Sequence, residues 1–170
     1  MSLLKSIFGE AKQRAPLEPL YRAIVERGRD PAWYREGKVP DTIDGRFDMI
    51  AAILALVLLR LEAEGTAGRD PSVLLTELFI DDMDGTLRQI GIGDYVVGKH
   101  VGRMMSALGG RLAAFRSGRE PGFRDAARRN VFHETPPSEA AVAMVAGGLE
   151  RFAAGLDGTG LQDLLAGKLP

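Results

Sequence analysis

The sequence predicts an all-α fold: one compact multi-helix domain built around a central hydrophobic helix. Three observations lead there. Met49 to Leu59 is an uninterrupted run of eleven apolar residues. On a 3.6-residue period such a run covers every face of a helix, so other helices must surround it. From Val97 to Phe115, apolar residues (Val97, Val101, Met104, Leu108, Leu112, Phe115) recur at three- and four-residue spacing, as in an amphipathic helix. No segment shows the two-residue alternation of a half-buried strand, and no repeat of fixed period is present.

The elements follow in order. Met1 to Gly9 sets Leu3, Leu4, Ile7 and Phe8 around Lys5. It is too short for a secretory signal and lacks a cleavage site, so export is not expected. Residues 1–16 are read as an N-terminal segment, flexible or docked, whose apolar side also suits a membrane surface. The domain is expected to span residues 17–170. Pro19 to Arg27, with Leu20, Ile24 and Val25, reads as a short helix closed by Gly28. Asp30-Pro31 restarts the chain as N-cap and first turn, and Trp33 and Tyr34 anchor a packing corner. Asp41-Thr-Ile-Asp44 supplies an N-cap with acids where the helix dipole favours them, ahead of the central helix. Arg60, Glu62 and Glu64 return that helix to water, and Gly65 with Gly68 ends it.

The next helix is expected from Asp70-Pro71-Ser72 to about Ile90, burying Leu75, Leu78, Phe79, Met83, Leu87 and Ile90. Gly91-Ile92-Gly93-Asp94 is a helix stop and a fresh N-cap, which makes a tight corner. The amphipathic helix from Tyr95 carries Lys99, His100, Arg103 and Arg111 on its polar side. Gly118 to Gly122 is a loop, Phe123 to Phe132 a short basic helix, and Pro136-Pro137 a break. Ser138-Glu139 opens a helix through Phe152, and Leu161 to Ala166 forms a last turn.

At 170 residues, with 45% hydrophobic and 26% charged residues, the chain is an ordinary globular composition large enough for one core. Cysteine is absent, which removes disulfides, thiolate metal sites and cysteine nucleophiles. The net charge of −1 conceals an asymmetry. Residues 36–94 hold 12 acids and 5 bases, whereas residues 95–130 hold 8 bases and 2 acids. The two surfaces either attract each other within the fold or form a polar docking face.

Chemical motifs are sparse. Asp81-Asp82-Met83-Asp84-Gly85 fails as a calcium loop, because Ile80 and Gly91 occupy the first and last ligand positions. Asp81 and Asp84 lie one turn apart but lack a facing acidic cluster, so no metal site is assigned. His100 and His133 have no ligand spacing. No Gly-x-Ser-x-Gly elbow or phosphate loop occurs, and neither catalytic residues nor a cofactor is expected. A pI near 6.1 without aromatic interleaving argues against a dedicated DNA or RNA reader, although the basic patch suits a local contact with ribosomal RNA.

Four segments carry a resemblance: Val39-Pro-Asp-Thr-Ile-Asp-Gly-Arg-Phe-Asp-Met49, Leu78-Phe-Ile-Asp-Asp-Met-Asp84, Leu87-Arg-Gln-Ile-Gly-Ile-Gly-Asp94 and Val97-Gly-Lys-His-Val-Gly-Arg-Met104. In order and spacing, over about residues 17–132, the chain resembles the ubiquinol–cytochrome c chaperones. The resemblance implies a non-enzymatic, bacterial assembly helper for the cytochrome bc complex that holds newly made cytochrome b or another component of the complex. It also implies a contact near the ribosomal exit and a cytoplasmic place, peripheral at the inner face of the cell membrane. The partner-binding candidates are Arg46, Asp81, Asp82, Asp84, Gly91, Gly93, Asp94, Lys99, His100 and Arg103.

Asp82, at the margin of its apolar stripe, is expected to pair with Lys99, Arg103 or Arg46. The pair either borders a groove for an apolar client helix or only fixes helix register. The competing reading is an all-α protein that binds a polyprenoid or haem-related molecule between helices.

Overall fold

The eleven-residue apolar run lies at the centre of the fold, with Met49 to Leu58 and Leu61 all buried. A computed structural model describes residues 15–89, 91, 93–116, 122–133 and 135–170. After a 3-10 turn at Ala15–Leu17 come eight helices among the described residues. They are α1 (Glu18–Gly28), α2 (Pro31–Arg35), α3 (Ile43–Glu62), α4 (Thr66–Gln89), α5 (Asp94–Arg116), α6 (Gly122–Asn130), α7 (Glu139–Asp157) and α8 (Leu161–Leu165). No strand occurs among those residues, so the all-α expectation holds. α3 packs against α1, α4, α5 and α7, and α7 also packs against α6. The expectations for Met1 to Gly9, for the end of α4 at Ile90 and for most of the Gly118–Gly122 loop fall outside the described residues.

Local chemistry starts the helices largely where the sequence suggests. Asp30 caps α2 by accepting from the Ala32 amide at 2.9 Å, and Ser138 caps α7 by accepting from Ala141 at 3.1 Å. α3 is capped by Thr42, whose hydroxyl accepts from the Gly45 amide at 3.1 Å. Asp41 instead accepts from Arg46 Nε at 2.6 Å. Trp33 is buried, and its indole N–H donates to the Arg27 carbonyl at 2.8 Å. The Tyr34 hydroxyl donates to the Gly28 carbonyl at 2.8 Å, so the aromatic pair does anchor the corner after α1.

Tertiary contacts act at three places: Gly28 closes α1 as expected, whereas the start of α4 and the place of Arg60 differ from expectation. Gly28 is the last residue of α1, and its lack of a side chain serves contact: a Cβ there would lie 2.8 Å from the Ile50 Cα. α4 begins at Thr66, so Pro71 sits inside it and Gly68 is helical. The chain turns at Gly65, where φ is +60°, and Gly68 is the point at which α4 crosses the end of α3. Arg60 does not return to water. It donates to the Leu156 and Thr159 carbonyls, both at 3.0 Å, and so serves the C-terminal end of α7, which has no basic residue of its own in its last turn.

Candidate functional site

At the corner between α4 and α5, Gly91 takes a φ of +84°, which a glycine permits without strain, and Gly91 and Gly93 are both exposed. Asp94 begins α5, but its side chain lies outside the described residues. On α5, Lys99 and Arg103 are exposed. Arg103 Nη2 lies 3.1 and 3.2 Å from the ring nitrogens of His100, so these three residues form one polar turn. On α4, Asp81 is exposed, and Asp84 accepts from Arg88 Nε at 2.6 Å. Arg46 stays at the start of α3 with Asp41, whose carboxyl that hydrogen bond holds below the ordinary carboxylate range.

The pairing expected for Asp82 is not the one that forms. Its carboxylate accepts from the Tyr21 hydroxyl of α1 at 2.7 Å, which is not one of the cations expected for it. The apolar margin on which Asp82 lies faces α1, so a phenol reaches it before any arginine does. Asp82 therefore ties α1 to α4.

Burial, then the bond to Asp82, pushes the Tyr21 phenol far above its ordinary pKa, and burial pushes Tyr34 up to about 12. Both groups favour the neutral phenol in the fold. Their stabilisation is complete below the unfolded value of about 10 and is lost as pH rises beyond it. Stability measured by urea unfolding is expected to fall from about pH 10 upward. A Tyr21→Phe, Tyr34→Phe protein should show a shallower decline, and identical alkaline limbs would refute the assignment.

Sequence reasoning also misplaced Arg111, assigned to the polar side of α5 but only 2% exposed. One Arg111 guanidinium nitrogen, Nη2, donates both to Asp48 Oδ1 of α3 and to the Asn130 carbonyl, the latter at 2.6 Å. The guanidinium carbon lies 5.7 Å from the Phe47 ring centroid. Asp48 is also buried, and its second oxygen accepts from His133 Nε2 at 2.7 Å. His133 itself is exposed and takes a positive φ of 49°. Burial raises the Asp48 carboxyl, opposed by Arg111 and His133, while burial lowers Arg111, opposed by Asp48. A signal was present in the sequence: Arg111 follows Leu108 by three residues and precedes Phe115 by four, which puts it in line with buried positions.

At the opposite end of α4 from the glycine corner, an apolar cleft of about 740 Å³ opens between the first half of α4 and the last turns of α5. Leu58 and Leu112 line it, with Val73, a residue 54% exposed. Ser72 and Thr76 also line it, but their hydroxyls donate to the Gly68 and Ser72 carbonyls at 2.7 and 2.8 Å. Polar residues thus turn carbon toward the opening. The charged residues of the lining are Glu62, Arg69 and Glu77.

Along α5, a Cβ on Gly98, Gly102, Gly109 or Gly110 would meet nothing within 4 Å. A helical glycine costs about 1 kcal/mol relative to alanine, and packing among the described residues requires none of these four. No group of three metal-ligating side chains converges among the described residues, and no helix there is long and apolar enough to cross a membrane.

Comparison with known proteins adds identity to this geometry. The family model described as Ubiquinol-cytochrome C chaperone matches residues 35–169. The crystal structure of the Cbp3 homolog from Brucella abortus is similar in fold, with a TM-score of 0.77 at 24% identity, covering 98% of this chain and 94% of that one. No curated protein matches the chain.

Proposed function

The chain belongs to the ubiquinol–cytochrome C chaperone family, and from that membership we propose that it binds newly made cytochrome b during assembly of the cytochrome bc complex, at the cytoplasmic face of the membrane. The observation that carries this reading is the family match over residues 35–169, which takes in the whole of α3 to α8. The polar turn of Lys99, His100 and Arg103, in which Lys99 and Arg103 are exposed, supports it together with exposed Asp81 and the exposed glycine corner. These groups bring no nucleophile and base together, so the surface suits holding a polypeptide better than transforming a substrate. A contact with the ribosome through the basic residues belongs to the same proposal.

Cells lacking the chain are expected to lose assembled cytochrome bc complex, and crosslinking in cells that retain it should recover cytochrome b. An undiminished complex without the chain would refute the proposal. The 740 Å³ apolar cleft favours a second reading, a bound polyprenoid or haem-related molecule. Native mass spectrometry of the purified protein is expected to show the bare polypeptide mass, and a stoichiometric adduct would favour the second reading.

A further inference from the structure

The buried Asp48–Arg111 pair holds an exposed imidazole at the corner between α6 and α7, and it does so at a strained backbone. His133 takes a φ of +49°, a region that glycine enters without steric cost and other residues rarely adopt. The Thr135 amide returns to the Phe132 carbonyl at 2.9 Å and closes the turn, while buried Val131 and Phe132 fix it to the body of the fold. Arg111 Nη2 donates both to Asp48 and to the Asn130 carbonyl, so one cation sets the carboxylate and the chain leading into the turn.

Asp48 Oδ2 lies 2.7 Å from His133 Nε2. A carboxylate paired with arginine can only accept, so Nε2 carries the ring proton, and Nδ1 of the neutral imidazole is left as a bare acceptor. Nδ1 has no hydrogen-bond partner among the described residues, on a side chain that is 65% exposed. Closing the turn does not require this arrangement. Glycine would take the same φ freely, and the charge of Asp48 is already met by Arg111. Strain of this kind persists where the surrounding structure over-determines it, most often at ligand clamps and active sites. Its result here is an imidazole with tautomer and orientation fixed, the way a carboxylate orients a ligand-binding histidine.

We propose that His133 is a recognition residue, positioned by Asp48, whose Nδ1 accepts a hydrogen bond from a peptide N–H or a hydroxyl group of a bound polypeptide. The charges of Asp48 and Arg111 cancel within their pair, so the contact selects a neutral donor by direction and not a charged group by attraction. The inference rests on the reading of the protein as a holder of a polypeptide client, and it names one atom of the chaperone that meets that client.

The first test needs no client. Nitrogen NMR of the ring in the full chain, at about pH 8 where an ordinary imidazole is neutral, is expected to show the proton on Nε2 and a bare Nδ1. A proton on Nδ1 would overturn the proposal. The second test is His133→Gln, whose amide nitrogen can take the place of Nε2 toward Asp48 but which has no counterpart of Nδ1. Urea unfolding of this variant should stay close to the parent, whereas crosslinked recovery of cytochrome b from cells should fall about three- to tenfold, the range of one hydrogen bond. His133→Gly frees the backbone and removes the ring. It covers the case of a Gln variant that unfolds, and it should lose recovery to the same extent.

Recovery also separates this inference from the reading beneath it. If the parent and both variants recover cytochrome b equally, His133 is only a structural tie to Asp48, although the chaperone reading survives. If the parent recovers no cytochrome b, the proposed client fails, and this contact with it fails too, whatever the tautomer.

Discussion

Asp48→Ala is expected to cost about 3–5 kcal/mol, because it leaves the Arg111 guanidinium buried without its carboxylate. Arginine stays charged at any pH the fold survives, so it cannot escape by losing a proton. What remains to it is the Asn130 carbonyl at 2.6 Å and the face of Phe47, while Arg111 Nε already lacks a hydrogen-bond partner among the described residues. Domains of this kind are stable by about 5–15 kcal/mol in total, so the loss is a large share of the whole. In thermal unfolding it corresponds to a fall of roughly 6–20 °C for a chain of this size. Replacing both partners, Asp48→Leu with Arg111→Met, should cost far less than the single change, since no buried charge is left behind. His133→Ala should cost no more than about 1 kcal/mol, because that bond is made at an exposed ring. An Asp48→Ala protein within about 1 kcal/mol of the parent would show that this pair is not the buried ionic centre of the fold.

The second large effect is expected from the smallest possible substitution, Gly68→Ala. A Cβ at Gly68 would fall 1.8 Å from the Leu61 carbonyl oxygen and 2.6 Å from its carbon. The obstacle is backbone, so no rotamer change relieves it. α4 must move away from α3, and the packing of Leu75 and Phe79 moves with it. A loss of about 3 kcal/mol is expected, at the upper end for overpacking. The same replacement at Gly110, where nothing lies within 4 Å, should instead stabilise the protein by up to about 1 kcal/mol. Urea unfolding of the two variants side by side checks both signs. Stabilisation at both positions would mean that helix propensity, and not the crossing of α3 and α4, controls Gly68.

The legible parts of the fold were those that short-range periodicity and capping encode. The apolar run of α3, the Met104 to Phe115 part of the α5 stripe, the Asp30 and Ser138 caps and the Trp33–Tyr34 anchor all lie where the sequence placed them. The candidate site was less legible. Lys99, His100 and Arg103 do share a turn, and Gly91 does make the corner. Asp82 was correctly marked as a carboxylate at an apolar margin, but its partner is 61 residues away on α1. The cleft passed unseen because it is made by Leu58, Val73 and Leu112 from three helices, none conspicuous alone.

By itself, the sequence determined the all-helical class, most of the helix starts and the central place of residues 49–59, because each depends on neighbours within a few turns. Tertiary structure alone decided that Arg111 is an interior cation, that Gly68 and Gly28 are points of close approach, and that Arg60 closes the end of α7. The cause is the same in each case. A side chain's free energy depends on the group that faces it across a helix interface, and chain position i holds no record of a carboxylate, a carbonyl or a backbone brought opposite it from tens of residues away.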